Sequence, residues 1–289
     1  MDISIENVHN IYNTRLTDAE FTKMSNFIYN EYGIKMPYAK KTMLQSRLHK
    51  RLRELNIPSF KEYIDYLFSK DGMQNELVHM IDVVSTNKTD FFREPAHFDF
   101  MRETLLPQFV STSNANRYLK IWSAGCSTGE EPYTIAMVLS DFAATQAGFS
   151  FSIFATDISS RALKHAVTAI YTDDRVAQIP MTIKKKYFLK SKDKTNLTVR
   201  IIPQLRGKVT FQRLNFMANS YNVYDNFDII FCRNVLIYFD RQTQESVINK
   251  LCKKLKPNGF FFLGHSESIT NMNVPLKQIK PTIFRKIGQ

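Results

Sequence analysis

Between Ile121 and Tyr133 the chain reads IWSAGCSTGEEPY, a run of small residues that ends on two adjacent carboxylates. Ser123 to Gly129 are small enough for a ligand to lie against the backbone, and the helix start that follows offers free N–H groups. The spacing is not Gly-x-Gly-x-x-Gly, and Glu130 and Glu131 fall in the first helical turn. Carboxylates there repel a pyrophosphate and welcome an ammonium or a sulfonium. Two acids that merely complement the helix dipole would look the same, so the loop needs company. Asp157 follows a second strand-like run, placed to accept the two hydroxyls of a ribose, and Arg233, Asn234 and Tyr238 follow another. These residues describe a site for a nucleoside with a positively charged, amino-acid-like tail.

The elements that must hold these loops are legible as a pattern. From about residue 118, apolar runs alternate with helical ones: YLKIWSA, a helix over 129–146, FSIFATD, a helix over 160–170, KVTFQRLNF, FDIIFCRN, a helix over 240–256, and GFFFLGH. Such alternation predicts a mostly parallel sheet with helices on both faces, an α/β fold that binds ligands beyond the carboxyl ends of its strands. A Lys-rich, Pro-punctuated segment over about 171–206 breaks the rhythm and reads as a small inserted β-hairpin unit. Residues 1–80 read instead as short amphipathic helices. Thr17 with Glu20 forms a capping box before the first, and Gly33 stops it. A second helix runs over about 40–55, and Pro58-Ser59 opens a third that ends near Asp71-Gly72.

Composition narrows the class. The 289 residues are 44% hydrophobic and 13% aromatic, which suits a globular chain with two domains, 1–80 and 81–289. No apolar run approaches the roughly 18 residues of a membrane span, and the first 30 residues lack a signal-peptide pattern, so a cytoplasmic location is expected. Cys126, Cys232 and Cys252 are widely spaced, without Cys-x-x-Cys or zinc-like Cys/His spacing; free thiols and no metal are expected. The net charge of +12 points to an acidic partner, though charge alone does not choose among nucleic acid, anionic lipid and acidic protein.

S-adenosylmethionine answers the description of the ligand. The chain also resembles the chemotaxis-receptor methyltransferases, the CheR family, through NKTDFFREPAHF (87–98), WSAGCSTGEEPY (122–133), ATDIS (155–159), FDIIFCRNVLIYF (227–239) and GHSES (264–268). The resemblance implies an all-α N-terminal domain, a Rossmann-like S-adenosylmethionine-dependent methyltransferase sheet with an inserted β-subdomain, and methyl esterification of glutamates on receptor helices, which sets chemotactic adaptation. Carried over by motif, the cofactor contacts are Asn87, Thr89, Arg93, Gly125, Glu130, Asp157, Asn215, Phe216, Arg233 and Asn234, with S-adenosylhomocysteine as product. Ser159 stands where an aspartate is common in that family, and Lys88 and Asp90 occupy variable positions of the motif.

The chemistry fits the absence of a catalytic triad. A glutamate carboxylate, with an ordinary pKa of about 4.3, is already a nucleophile near neutrality and needs no general base. Positioning and loss of charge in a shielded pocket can carry the reaction, with Arg93 and Tyr238 as the orienting donors. His265 and Glu267 are expected to be structural or adjacent to the cofactor rather than basic catalysts.

The partner is read from charge. At 100° per residue Lys40, Arg47, Lys50 and Arg51 share a sector of roughly 100° beside the stripe Leu44, Leu48, Leu52 and Leu55. Arg47, Lys50 and Arg51 are the expected docking residues for a glutamate-rich receptor helix, and Lys184–Lys194 a second surface, for a receptor tail peptide. The protein is expected to act as a monomer that reaches the membrane only through methyl-accepting chemotaxis receptors. A nucleic-acid methyltransferase using the same cofactor is the alternative, since +12 also suits phosphate. Against it stand the missing Asn/Asp-Pro-Pro-Tyr/Phe motif, the missing paired catalytic cysteines and the lack of an aromatic-basic face, so no nucleic-acid partner is expected.

Overall fold

The computed structural model describes residues 14–112, 117–193, 195, 197–223 and 226–288. Helix α1 (Asp18–Tyr32) starts as its sequence dictates: Thr17 Oγ1 accepts from the Glu20 N–H at 3.2 Å, and the Glu20 carboxylate accepts from the Thr17 N–H at 2.8 Å. It stops at Gly33, whose φ of +69° is left-handed. In α2 (Lys41–Leu55) the stripe Leu44, Leu48 and Leu52 is fully buried against α1 and the later helices. Ser59 caps α3 (Phe60–Leu67) by accepting from Glu62 N–H. The third helix expected from sequence is interrupted at Ser69, which caps a separate α4 (Lys70–Asn75), and α5 (Leu77–Val84) closes the bundle.

Short helices α6 (Ala96–Phe100) and α7 (Leu106–Thr112) lead into the sheet. Strand β1 (Tyr118–Ala124) lies parallel to β2 (Ser150–Asp157) on one side and β7 (Phe227–Cys232) on the other. The parallel series is completed by β6 (Val209–Arg213) beside β2 and β8 (Leu255–Leu263) beside β7. Strands buried on both faces should read as continuous apolar runs, and Ile229 to Cys232 are all buried. Trp122, the one tryptophan, is fully buried and donates its indole N–H to Thr156 Oγ1 at 3.0 Å. Helices α8 (Glu130–Ala143), α9 (Ser160–Thr168) and α12 (Arg241–Cys252) supply the crossovers.

Two features exceed the sequence reading. The sheet gains an antiparallel hairpin, β9 (Leu276–Lys280) and β10 (Ile283–Lys286), with β10 paired to β8 and β9 at the edge. The edge strand β9 is short and lysine-bearing, a common way of blunting an edge, and that disguises its alternation. The insert is a three-stranded antiparallel sheet rather than a hairpin alone: β5 (Thr198–Ile201) lies between β3 (Ile170–Thr172) and β4 (Phe188–Lys190). Helix α10 (Met181–Tyr187) precedes β4, and a short α11 (Pro203–Arg206) leads back to the main sheet.

The basic face of α2 is narrower than its helical wheel suggests. Arg51 is buried: its guanidinium donates to both carboxylate oxygens of Glu76 at 2.7 and 2.6 Å and also pairs with Glu54. Tyr63 donates to the same Glu76 at 2.9 Å. Arg51 therefore holds the bundle together and cannot meet a partner, a correction that follows from the burial of Glu76 at 1% exposure. Arg47, half-buried, donates to the carbonyls of Val84 and Ser85 and to Thr86 Oγ1, so it braces the segment leaving α5. Lys50 alone of the three is exposed, within 3.8 Å of Glu54. Removing one partner of a buried pair strands the other charge, so Arg51→Ala should lose about 3–5 kcal/mol of unfolding free energy. Lys50→Ala should change it by no more than about 0.5 kcal/mol. Urea denaturation of both variants at neutral pH measures the contrast.

Candidate functional site

The strand order β6-β2-β1-β7-β8-β10-β9 reverses direction between β1 and β7, and the crevice of an open sheet lies beyond the carboxyl ends at such a point. A cavity opens there, bounded on its outer side by Tyr32, Ile34, Met36, Lys40 and Met43 of the helical domain. Asn87, Thr89, Arg93, Gly125, Asp157, Asn215, Phe216, Arg233, Asn234 and Tyr238 all line it.

Each loop is fixed before any ligand arrives. Gly125 has φ +91°, and a Cβ there would lie 2.3 Å from Val235 Cγ2, so only glycine lets the β1 loop pass the β7 loop. Asp157 sits at the end of β2, and its carboxylate accepts from the N–H groups of Ser127 at 2.8 Å and Ser159 at 2.9 Å, leaving further lone pairs for hydroxyl donors. Burial pushes its carboxyl up, against those two N–H bonds. Phe92, Glu94, Ser127 and Asn234 all adopt positive φ, and all four lie in the loops around the cavity. Non-glycine residues hold that conformation only where the surroundings over-determine it.

Glu130 is the exception among the expected contacts. It is 1% exposed and turns outward to the insert, accepting from Arg175 at 2.6 Å and from the Thr128 hydroxyl at 2.6 Å. Glu131 lines the cavity instead, because one helical residue rotates the side chain by 100°. Its carboxylate accepts from Ser123 Oγ at 2.7 Å and lies 3.3 Å from Arg233 Nε. Burial pushes the Glu131 carboxyl up, opposed by the Arg233 charge.

Arg233 is buried beside the stacked rings of Phe98 and Phe231, at 5.6 and 6.0 Å from their centroids, and donates to the Arg93 carbonyl at 2.5 Å. Its Nη1 and Nε, with Glu94 Oε2 and His97 Nδ1, are buried without hydrogen-bond partners. Unpartnered buried donors and acceptors are costly unless something completes them, and a set of both signs beside a cavity fits a zwitterionic amino-acid tail. Glu94, His97 and His265 also form the one carboxylate-imidazole cluster among the described residues that could hold a cation. The guanidinium of Arg233, 3.6 Å from Glu94, already supplies the positive charge there, and no metal is assigned.

Glu267, expected to be structural or cofactor-adjacent, and Tyr238, expected as an orienting donor, are both fixed by their neighbours. Glu267 accepts from four backbone N–H groups, those of Gly264, Asn234, Val235 and Leu236, at 2.6–2.9 Å, and so clamps the loop that carries Arg233 to Tyr238. Tyr238 is half-buried in the cavity wall, and its phenol bonds the Thr86 side chain. Burial pushes the phenol up, while the Thr86 bond and the charges of Arg93 and Arg47 pull it down, so it is a donor near neutrality. On the insert, Lys186 is paired with Asp141 at 2.6 Å, and Lys194 lies outside the described residues. The three cysteines are free and buried.

Residues 87–285 match the CheR methyltransferase SAM-binding domain, and residues 19–85 match the CheR methyltransferase all-alpha domain. The chain belongs to the CheR methyltransferase family. A chemotaxis protein methyltransferase of Borreliella burgdorferi is 38% identical over 277 residues, covering 95% of this chain and 96% of that one. One from Escherichia coli is 36% identical over 257 residues, covering 89% and 87%. Like the rest of the CheR family, this chain is an S-adenosylmethionine-dependent methyltransferase, and it serves chemotaxis. Glu94, 3.6 Å from Arg233, is the acid beside the cavity that the sequence did not announce, whereas Glu131 was read there only as one of two first-turn carboxylates, without a choice between them.

His97 gives the site a pH signature. Burial first, and the Arg233 charge second, push it down to about 4, so it is neutral in the fold. A group depressed from about 6.5 in the unfolded chain contributes stability above that value and loses it as pH falls toward the folded pKa. Between pH 7 and 5 the wild type should lose about 2 kcal/mol more than His97→Gln, by denaturant titration at the two pH values.

Proposed function

We propose that the protein transfers the S-adenosylmethionine methyl group to glutamate side chains of chemoreceptor signalling helices, forming methyl esters and releasing S-adenosylhomocysteine. The observation that carries this reading is the pairing of a half-buried acid, Glu131, with a cavity whose described lining residues include no histidine or cysteine. Such a cavity suits a cationic methyl donor and a nucleophile that arrives already ionised.

When bound, the cofactor supplies a methyl group on a sulfonium centre, and the chain's own residues do the rest. Asp157 receives the ribose hydroxyls, with Asn215 and Phe216 on the nucleoside side. Glu131 receives the ammonium of the amino-acid tail, and Arg93 and Arg233 its carboxylate, for which a planar fork is better suited than an ammonium. Tyr238 donates to the incoming glutamate and holds its second oxygen, with Lys40 at the same mouth drawing it in. Closure of the cavity under the helical domain shields a step in which two opposite charges are cancelled.

The helical domain, about 1–80, is the docking unit, with Lys50 and the half-exposed Lys40 among its accessible charges; the domain of about 81–289 carries out the transfer, and its insert, about 171–206, is a further receptor contact. No helix of the described residues is long and apolar enough to cross a membrane. A cytoplasmic enzyme that meets membranes only through its receptor is the arrangement consistent with this reading.

Incubation with methyl-labelled S-adenosylmethionine and receptor-rich membranes should put label into protein, and mild base should release it as methanol. Base-stable label, or label in nucleic acid, overturns the proposal. Removing the carboxylate of Asp157 should weaken S-adenosylhomocysteine binding roughly 5- to 150-fold by calorimetry, since it leaves two hydroxyls unpaired. Tyr238→Phe should keep cofactor affinity within a few-fold but slow single-turnover transfer about 10-fold or more, the mark of a group that acts mainly in the transition state.

A further inference from the structure

Asp82 belongs to the helical domain but spends its side chain on the catalytic one. It lies on α5, 7% exposed, and its carboxylate accepts from Ser159 Oγ at 2.7 Å and from the Arg161 N–H at 3.2 Å to each oxygen. Arg161 returns the contact by donating a guanidinium N–H to the Asp82 carbonyl at 3.0 Å. Helix α9 thus has a split cap. Ser159 accepts from Ala162 N–H at 3.1 Å as an ordinary capping side chain, while the negative charge that favours a helix N-terminus is delivered from another domain.

The consequence reaches the ribose loop. With its hydroxyl hydrogen committed to Asp82, Ser159 Oγ can only accept from its other neighbours, Ala162 N–H and, at 3.4 Å, Asn87 Nδ2. The backbone N–H of the same Ser159 holds Asp157 Oδ1 at 2.9 Å. The Asn87 carbonyl in turn accepts from Ser127 Oγ at 2.9 Å, and Ser127 N–H holds the other oxygen of Asp157. A ring of polar contacts therefore runs from Asp82 through Ser159 and Asn87 to both sides of Asp157, and its only full charge outside the cavity is Asp82.

We propose that Asp82 is a positioning residue for cofactor binding: it completes the start of α9 from the helical domain and so fixes the loop that presents Asp157. This rests on the reading of the cavity as the cofactor site. In this view the seating of the helical domain and the cofactor's affinity are linked through one carboxylate.

Calorimetry with S-adenosylhomocysteine on the full chain tests it. Asp82→Ala should weaken binding roughly 5- to 10-fold, the scale of a lost helix cap, with stoichiometry near one. Ser159→Asp alone should also weaken it, because a second carboxylate is forced against Asp82. Asp82→Asn combined with Ser159→Asp, which moves the charge back into the loop, should restore affinity to within about threefold of wild type. A purely architectural Asp82 would instead lower the folded fraction, seen as reduced stoichiometry at unchanged affinity, and that result overturns the proposal. So does a double variant no tighter than the weaker single one. A wild type that fails to bind S-adenosylhomocysteine removes the cofactor reading itself, and the inference with it.

Discussion

A guanidinium buried at the end of β7 is the constraint around which the site is built. Arg233 sits beside the stacked rings of Phe98 and Phe231, faces Glu131 and Glu94, and donates to the backbone of Arg93. A charge in that position is costly to desolvate unless its partners are held to meet it. Three segments distant in sequence do so: the junction after the helical domain, the first turn of α8 and the strand end itself. The positive φ values of Phe92, Glu94 and Asn234 are the backbone cost of that convergence. Because α8 must aim Glu131 at Arg233, its preceding residue faces the insert, and because the junction must pass Arg233, Arg93 is delivered to the cavity.

The parts legible in sequence were those governed by local rules. A parallel sheet places its ligand beyond strand ends, so reading the residues after each apolar run found Gly125, Asp157, Arg233, Asn234 and Tyr238 without coordinates. Capping at Thr17 and the stop at Gly33 followed from side-chain chemistry within one turn. The illegible parts needed a partner far along the chain. Nothing in the 40–55 helix announces that Arg51 is bound to Glu76, 25 residues away, and a wheel drawn on that helix counts it as surface charge. Which of two adjacent glutamates faces the cavity depends on the rotation at which α8 packs, and sequence does not set that angle. The β9–β10 hairpin escaped because the edge strand β9 exposes all but Leu276, and β10 buries two consecutive residues, Ile283 and Phe284, rather than alternate ones.

The helical domain also changes character once its charges are traced. Read as a wheel, it is a docking surface attached to an enzyme. In the structure, Arg47 braces the chain as it leaves α5, Arg51 secures the bundle, and Ile34, Met36 and Lys40 form part of the cavity wall. Two of its basic residues are thus structural, while Lys23, Lys35, Lys50, Lys61 and Lys70 remain exposed and Lys40 lines the cavity.

The contact between Glu130 and Arg175 bears on how such a protein could be rebuilt from parts. The insert leaves the main fold at β3 and returns through α11, boundaries that invite its exchange for the corresponding unit of another enzyme. Yet Arg175 donates to Glu130, a residue 1% exposed in the first turn of α8, and also to the Thr89 carbonyl in the cavity wall. A chimaera whose insert lacks a guanidinium at this point would leave a carboxylate stranded one residue from Glu131. The insert is therefore not an interchangeable cartridge: its sequence and that of α8 are obliged to change together.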